Sequence, residues 1–149
     1  MSTGAWVLVV AVVVAGAFGG PRMLTNGRFR NASSGEPTET TTAPSLLEGT
    51  PWVDQAGERA TLLQFSSAFC APCRATRQTL GAVAERTPGV AHVEVDAEQH
   101  LDVVRRLNIL RTPTTIVLDS SGHEVTRAAG APTRAQVEAA LAGITQSSM

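Results

Sequence analysis

Apolar and polar positions divide the chain into three regimes. From Gly4 to Gly20 no side chain is charged and valine and alanine dominate, a run just short of the roughly 20 apolar residues that cross a bilayer. Pro21, Met23 and Leu24, with Arg22 snorkelling toward the interface, bring it into range. Residues 1–24 are therefore expected to form a single-pass transmembrane helix. Without a polar face this run does not read as a core helix. Its rival is a cleavable signal peptide: Ala15-Gly16-Ala17 offers a small-residue cleavage pattern, but Met1-Ser2-Thr3 supplies none of the basic residues such a peptide begins with.

Residues 25–45 read as a flexible linker. From Asn31 to Ser45 no aliphatic residue is larger than alanine, and Thr, Ser and Pro abound, so the stretch cannot bury enough surface to offset its ordering entropy. A linker of this kind reaches about 20 to 25 Å.

Residues 46–149 alternate apolar runs with amphipathic stretches, the pattern of an α/β domain. Thr61 to Phe65 predicts a buried strand, and a helix should open near the cysteines and run to Arg86, ahead of Pro88-Gly89. Val90 to Val95 predicts the next strand. A helix over Glu98 to Leu107 would carry Leu101, Val104 and Leu107 on one face. Thr114 to Leu118 and His123 to Arg127 predict two strands joined by the turn Asp119-Ser120-Ser121-Gly122, and a last helix should follow Thr133 as its N-cap. Trp52 is expected as a core anchor, Gln64 as a buried, hydrogen-bonded polar residue, and Arg74 and Arg77 as a solvated helix face.

Length and charge narrow the reading. The 149 residues suit one domain and a tail, and a formal net charge of -1 with no basic cluster argues against nucleic acid as a partner. Arg22, Arg28 and Arg30 follow the apolar segment, and the positive-inside rule then places the domain on the cytoplasmic side. The extracytoplasmic side is the alternative.

Candidate chemistry lies in the two cysteines, Cys70 and Cys73, separated by Ala71 and Pro72. Such a pair, after a strand and at the start of a helix, reads as a redox couple. Unpaired N–H groups and the helix dipole stabilise a thiolate there, and Pro72 is tolerated in a first turn. Cys70, ahead of the helix, is the expected nucleophile and Cys73 the resolving thiol. A structural disulfide and a metal site are the alternatives. The latter would draw on His92, His100 and His123, none of them at local ligand spacing.

With these residues in hand, the segment from about Leu46 to Ile144 resembles the thioredoxin superfamily, and looks most like small membrane-tethered actinobacterial members. Thr112-Pro113-Thr114, immediately before a strand, is similar to the family's cis-proline loop, and Gly130 to a glycine beside its substrate groove. The resemblance implies a thioredoxin-like fold with a central mixed sheet flanked by helices. It also implies a cis Pro113 near the sulfurs and a groove formed with Phe69, Ala71, Pro72, Thr112 and Gly130. The implied activity is reduction of protein disulfides near a membrane, fed by an unidentified electron donor. No cofactor or metal beyond the redox-active Cys70–Cys73 disulfide is implied. An extracytoplasmic reductant of the cytochrome-maturation type and a copper chaperone remain as alternatives. Four positions depart from the family pattern: Gln64 stands where a buried aspartate is usual, His92 where its lysine partner is, Phe69 in place of tryptophan, and Ala71 in place of glycine.

Overall fold

Strand β2, Ala60–Ser66, is buried along its whole length, its polar members Thr61, Gln64 and Ser66 included, as befits a strand covered on both faces. In the computed structural model of the chain, which describes residues 6–15, 27–31 and 45–147, β2 lies inside a five-stranded sheet. The other strands are β1 (Phe29–Asn31), β3 (Val90–Asp96), β4 (Thr114–Asp119) and β5 (Glu124–Ala129). Their order is β1-β5-β4-β2-β3; β2 pairs parallel with β3 and antiparallel with β4, and β5 runs antiparallel to β4 and β1. The sheet is mixed, as expected.

Helices cover both faces. Alternation along β2 sends Leu63 and Phe65 into a cluster with Trp52, Val95, Leu107 and Ile116, and sends Leu62 into a second cluster with Leu80, Val83, Val137 and Leu141. The second cluster joins α2 (Ala71–Arg86) and α4 (Arg134–Ser147) to the sheet. The first packs α3 (Leu101–Arg106) and the segment around Leu47 and Trp52 on the opposite face, where a short 3-10 helix spans Val53–Gln55. Thr133 caps α4 reciprocally: the Gln136 backbone N–H donates to its Oγ1 (3.4 Å), and its own N–H donates to Gln136 Oε1 (2.8 Å).

Three expectations need correction. The linker predicted over 25–45 is interrupted by Phe29–Asn31, a strand of the sheet. Phe29 packs against the second cluster, Gly27 N–H donates to Ala129 O (2.9 Å), and Thr126 Oγ1 donates to Arg30 O (2.9 Å). Residues 32–44 lie outside the described residues. Helix α3 is shorter than Glu98 to Leu107, since the Asp96 carboxylate accepts from Glu98 N (2.9 Å) and Gln99 Nε2 (2.8 Å), holding that stretch in a turn. Val103 is the buried residue of α3, whereas Leu101 is 51% exposed.

At the N-terminus, residues 6–15 form a helix, α1, whose side chains are exposed. Among the described residues no helix is long and apolar enough to cross a membrane. The remainder of the expected span, residues 1–5 and 16–24, lies outside the described residues.

Candidate active site

The turn between β2 and α2 carries the cysteines. Cys70 is the N-cap of α2, with φ -96° and ψ 98°, and its Sγ accepts the Cys73 backbone N–H at 3.1 Å. Ala71 and Pro72 open the helix, where the proline's missing N–H removes no intrahelical bond. Cys70 and Cys73 are joined as a disulfide with Cα atoms 5.2 Å apart. The two sulfurs differ in access: Cys73 is 2% exposed, while Cys70 is half-buried at the surface. Phe69, immediately before them, is fully exposed, and Ala71 and Pro72 are exposed as well.

A second loop comes alongside. The Thr112–Pro113 peptide is cis, and Thr112 Oγ1 shares a hydrogen bond of 3.1 Å with Ser67 Oγ, three residues ahead of Cys70. Gly130 N–H donates to Pro113 O at 2.7 Å. With φ at 101°, Gly130 occupies a backbone region that side-chain-bearing residues rarely adopt. Ser67 was not among the residues singled out from the sequence; its place in the turn before Cys70 was the available signal.

Beneath the disulfide lies a polar network. Gln64, fully buried, donates through Nε2 to Cys73 O (3.0 Å) and Ser66 Oγ (2.8 Å), and its Oε1 accepts from His92 Nε2 (3.0 Å). Because an amide oxygen only accepts, His92 carries its proton on Nε2 in this arrangement. Burial holds the His92 pKa below the ordinary histidine value; the Glu94 charge opposes this shift and the Arg77 charge adds to it. Register explains the grouping: Gln64 pairs with Glu94 and Ser66 with Asp96, and a period of two puts His92, Glu94 and Asp96 on one face of β3.

Arg77 is more than a solvated position. It holds Glu94 through Nη2 to Oε1 (2.8 Å) and Nε to Oε2 (2.5 Å). Burial raises the Glu94 pKa, but hydrogen bonds from Arg77 and Ser66 and the Arg77 charge outweigh it, so the carboxyl sits below its usual range. Glu94, Arg74 and Arg77 line a cavity of about 380 Å³ into which Cys70 and Cys73 also face. The two-residue alternation of His92 and Glu94 was the signal for this group.

The histidines considered as ligands are dispersed. His92 is bound to Gln64, His100 stands edge-on to Trp52 at 4.6 Å between ring centroids, and His123 Nδ1 lies 3.8 Å from Asp119. Among the described residues no group of three or more His, Cys, Asp or Glu side chains is placed to hold a metal ion.

The family model described as Thioredoxin matches residues 52–143, a span that takes in the cysteine turn, the cis-proline loop and Gly130. This chain belongs to the thioredoxin family. Two curated relatives are thioredoxin H2 of Arabidopsis thaliana, 33% identical over 70 residues, and human thioredoxin domain-containing protein 2, 38% identical over 60 residues. The matched segments cover 47% and 40% of this chain but only 52% and 11% of those proteins. Among solved structures, thioredoxin from Trypanosoma brucei brucei superposes with a TM-score of 0.54 at 24% identity, covering 62% of this chain and 80% of that one. A mutant thioredoxin from Halobacterium salinarum gives 0.56 at 18% identity, with coverages of 62% and 80%. These likenesses show the fold. Within this thioredoxin-family chain, Gln64 and His92 form the polar network behind the cysteine turn.

Proposed function

We propose that the chain is a thiol-disulfide oxidoreductase that reduces disulfides of protein partners. The observation that carries this reading is the unequal access of the two joined sulfurs, Cys70 at the surface and Cys73 buried behind it. In the reduced chain the Cys70 thiolate attacks one sulfur of a substrate disulfide, forming a mixed disulfide and releasing the other sulfur as a thiolate. The Cys73 thiolate then attacks Cys70 Sγ. That step breaks the mixed disulfide, releases the second substrate thiolate and leaves the Cys70–Cys73 disulfide. Two electrons have passed to the substrate, and an electron donor must return them.

The helix start assists the first step, because the Cys73 N–H donates to Cys70 Sγ and the N-terminal end of α2 favours negative charge there. Gln64 has no titratable proton, so the Cys73 proton leaves through the cavity beside it, where the Glu94 carboxylate and solvent can take it. Phe69, Thr112, Pro113 and Gly130 form the surface against which the substrate lies. The apolar run of residues 4–20 supports a membrane anchor that keeps the domain near its partners, on the cytoplasmic side if Arg22, Arg28 and Arg30 set the orientation.

The test is reduction of a protein disulfide by the reduced chain and its cysteine variants. Cys70→Ser should abolish turnover, and Cys73→Ser should accumulate the mixed disulfide. Turnover by Cys70→Ser would overturn the assignment, as would stoichiometric Cu(I) or zinc binding by a reduced chain without reductase activity. The potential of the pair decides direction: a value near about -270 mV marks a reductant and one near about -120 mV an oxidant.

A further inference from the structure

On one flank of the cis-proline loop lies a second cavity, of about 820 Å³, whose charge is one-sided. Arg30 of β1, Arg106 of α3, Arg111 of the loop and Arg127 of β5 all line it. The one carboxylate in the lining, that of Glu124, is already clasped by both Arg127 Nε and Nη2. In a chain of net charge -1, this concentration of guanidinium groups is local. Leu110 also lines the cavity and is 85% exposed, a large apolar side chain left in water at a charged rim.

We infer that this groove binds an acidic stretch of the protein whose disulfide is reduced. The inference rests on the reductase reading for what the bound partner undergoes, but not for the binding itself. Position supports it: Arg111 and Thr114 bracket Thr112–Pro113 in the chain, and Ala129, also in the lining, precedes Gly130, which is hydrogen-bonded to Pro113. A polypeptide with its sulfur at Cys70 that passes over Pro113 brings its neighbouring residues to Arg111. Chemistry supports a carboxylate, since a guanidinium presents a planar fork that matches one. Shape favours a peptide over a small anion. Arg30, Arg106 and Arg111 come from three elements around a wide space, where an extended acidic segment can meet them in turn and cover Leu110, while Arg127 is taken up by Glu124 and Leu107 O. Arg111 and Arg127 are held in place by backbone, donating to Ala129 O and Leu107 O, so part of the groove is preorganised.

The experiment measures binding without chemistry. A fluorescein-labelled, cysteine-free peptide of alternating Glu and Leu is titrated with the oxidised full chain, beside the same peptide with Gln for Glu. The Glu peptide should bind at least about tenfold more tightly, and raising the salt concentration should erode the difference. Arg30 and Arg106 are exposed, so Arg30→Ala with Arg106→Ala leaves the core intact. The double variant should weaken the Glu peptide about tenfold, from up to about fivefold for each exposed charge removed. Arg30→Lys with Arg106→Lys should restore most of the affinity. Equal affinity for the two peptides would overturn the inference. So would an unchanged preference in the alanine variant, or displacement of the peptide by millimolar inorganic phosphate equally from wild type and variant. A disulfide-bonded version of the Glu peptide separates the two readings: selective binding without reduction defeats the reductase reading and leaves the groove standing, and reduction without selective binding does the reverse.

Discussion

Gln64 and His92, 28 residues apart in the chain, meet across β2 and β3 in a 3.0 Å hydrogen bond beside Cys73. The same glutamine amide donates to the Cys73 carbonyl, so one buried side chain connects the β3 histidine to the first turn of α2.

Gln64→Leu keeps the volume and removes one hydrogen bond from each of three groups; the Cys73 carbonyl keeps its place in the helical ladder and the Ser66 hydroxyl its bond to Glu94, whereas the His92 ring N–H loses its acceptor. An unsatisfied buried group costs about 1–3 kcal/mol. We expect a loss of about 2 kcal/mol in the unfolding free energy of the oxidised chain, measured by urea denaturation. A loss below about 1 kcal/mol would show that the network carries little stability.

His92 makes stability depend on pH. Its folded pKa is depressed, chiefly by burial, so just below the ordinary histidine value of about 6.5 the unfolded chain takes up a proton that the folded chain refuses. Stability is therefore full above that pH, declines as pH falls through the window, and levels off once the folded histidine also protonates. Glu94, likewise depressed, adds a further decline below about pH 4.5. The urea midpoint should drop between about pH 7 and about pH 5, and His92→Gln should flatten that segment while leaving the more acidic one. A parallel pH profile in the variant would contradict the assignment.

Phe69 is fully exposed immediately before Cys70, where its ring is open to contact with a bound substrate. Phe69→Ala should change unfolding free energy by no more than about 0.5 kcal/mol, because the ring touches little in the free chain. If substrate covers it, kcat/KM toward a protein disulfide should fall about tenfold, as expected for losing a partly buried phenyl contact. The loss should appear in KM. Unaltered kinetics would remove Phe69 from the substrate surface.

The sequence alone carried the order of elements from β2 to α4, because a buried strand, an amphipathic helix and a Gly-containing turn each leave a local periodic mark. The Cys70–Cys73 pair was legible because it lies where a strand gives way to a helix, whereas the cis bond at Pro113 was implied by the family resemblance. Strand β1 was not legible. It has three residues, one of them a large apolar side chain, and its stability comes from β5, about 100 positions further on, so no local period marks it. Helix α3 was overextended at its start because the Asp96 carboxylate holds Glu98 and Gln99 in a turn, a side-chain contact that apolar spacing does not reveal. The surroundings of the disulfide belong to the tertiary structure as well. Ser67 meeting Thr112, Arg77 clasping Glu94, Gln64 meeting His92 and four arginines gathering beside the cis-proline loop all depend on which strands are neighbours and in what register. Periodicity tells which face of an element a residue occupies, whereas the partner it finds there is decided only when the sheet closes around the core.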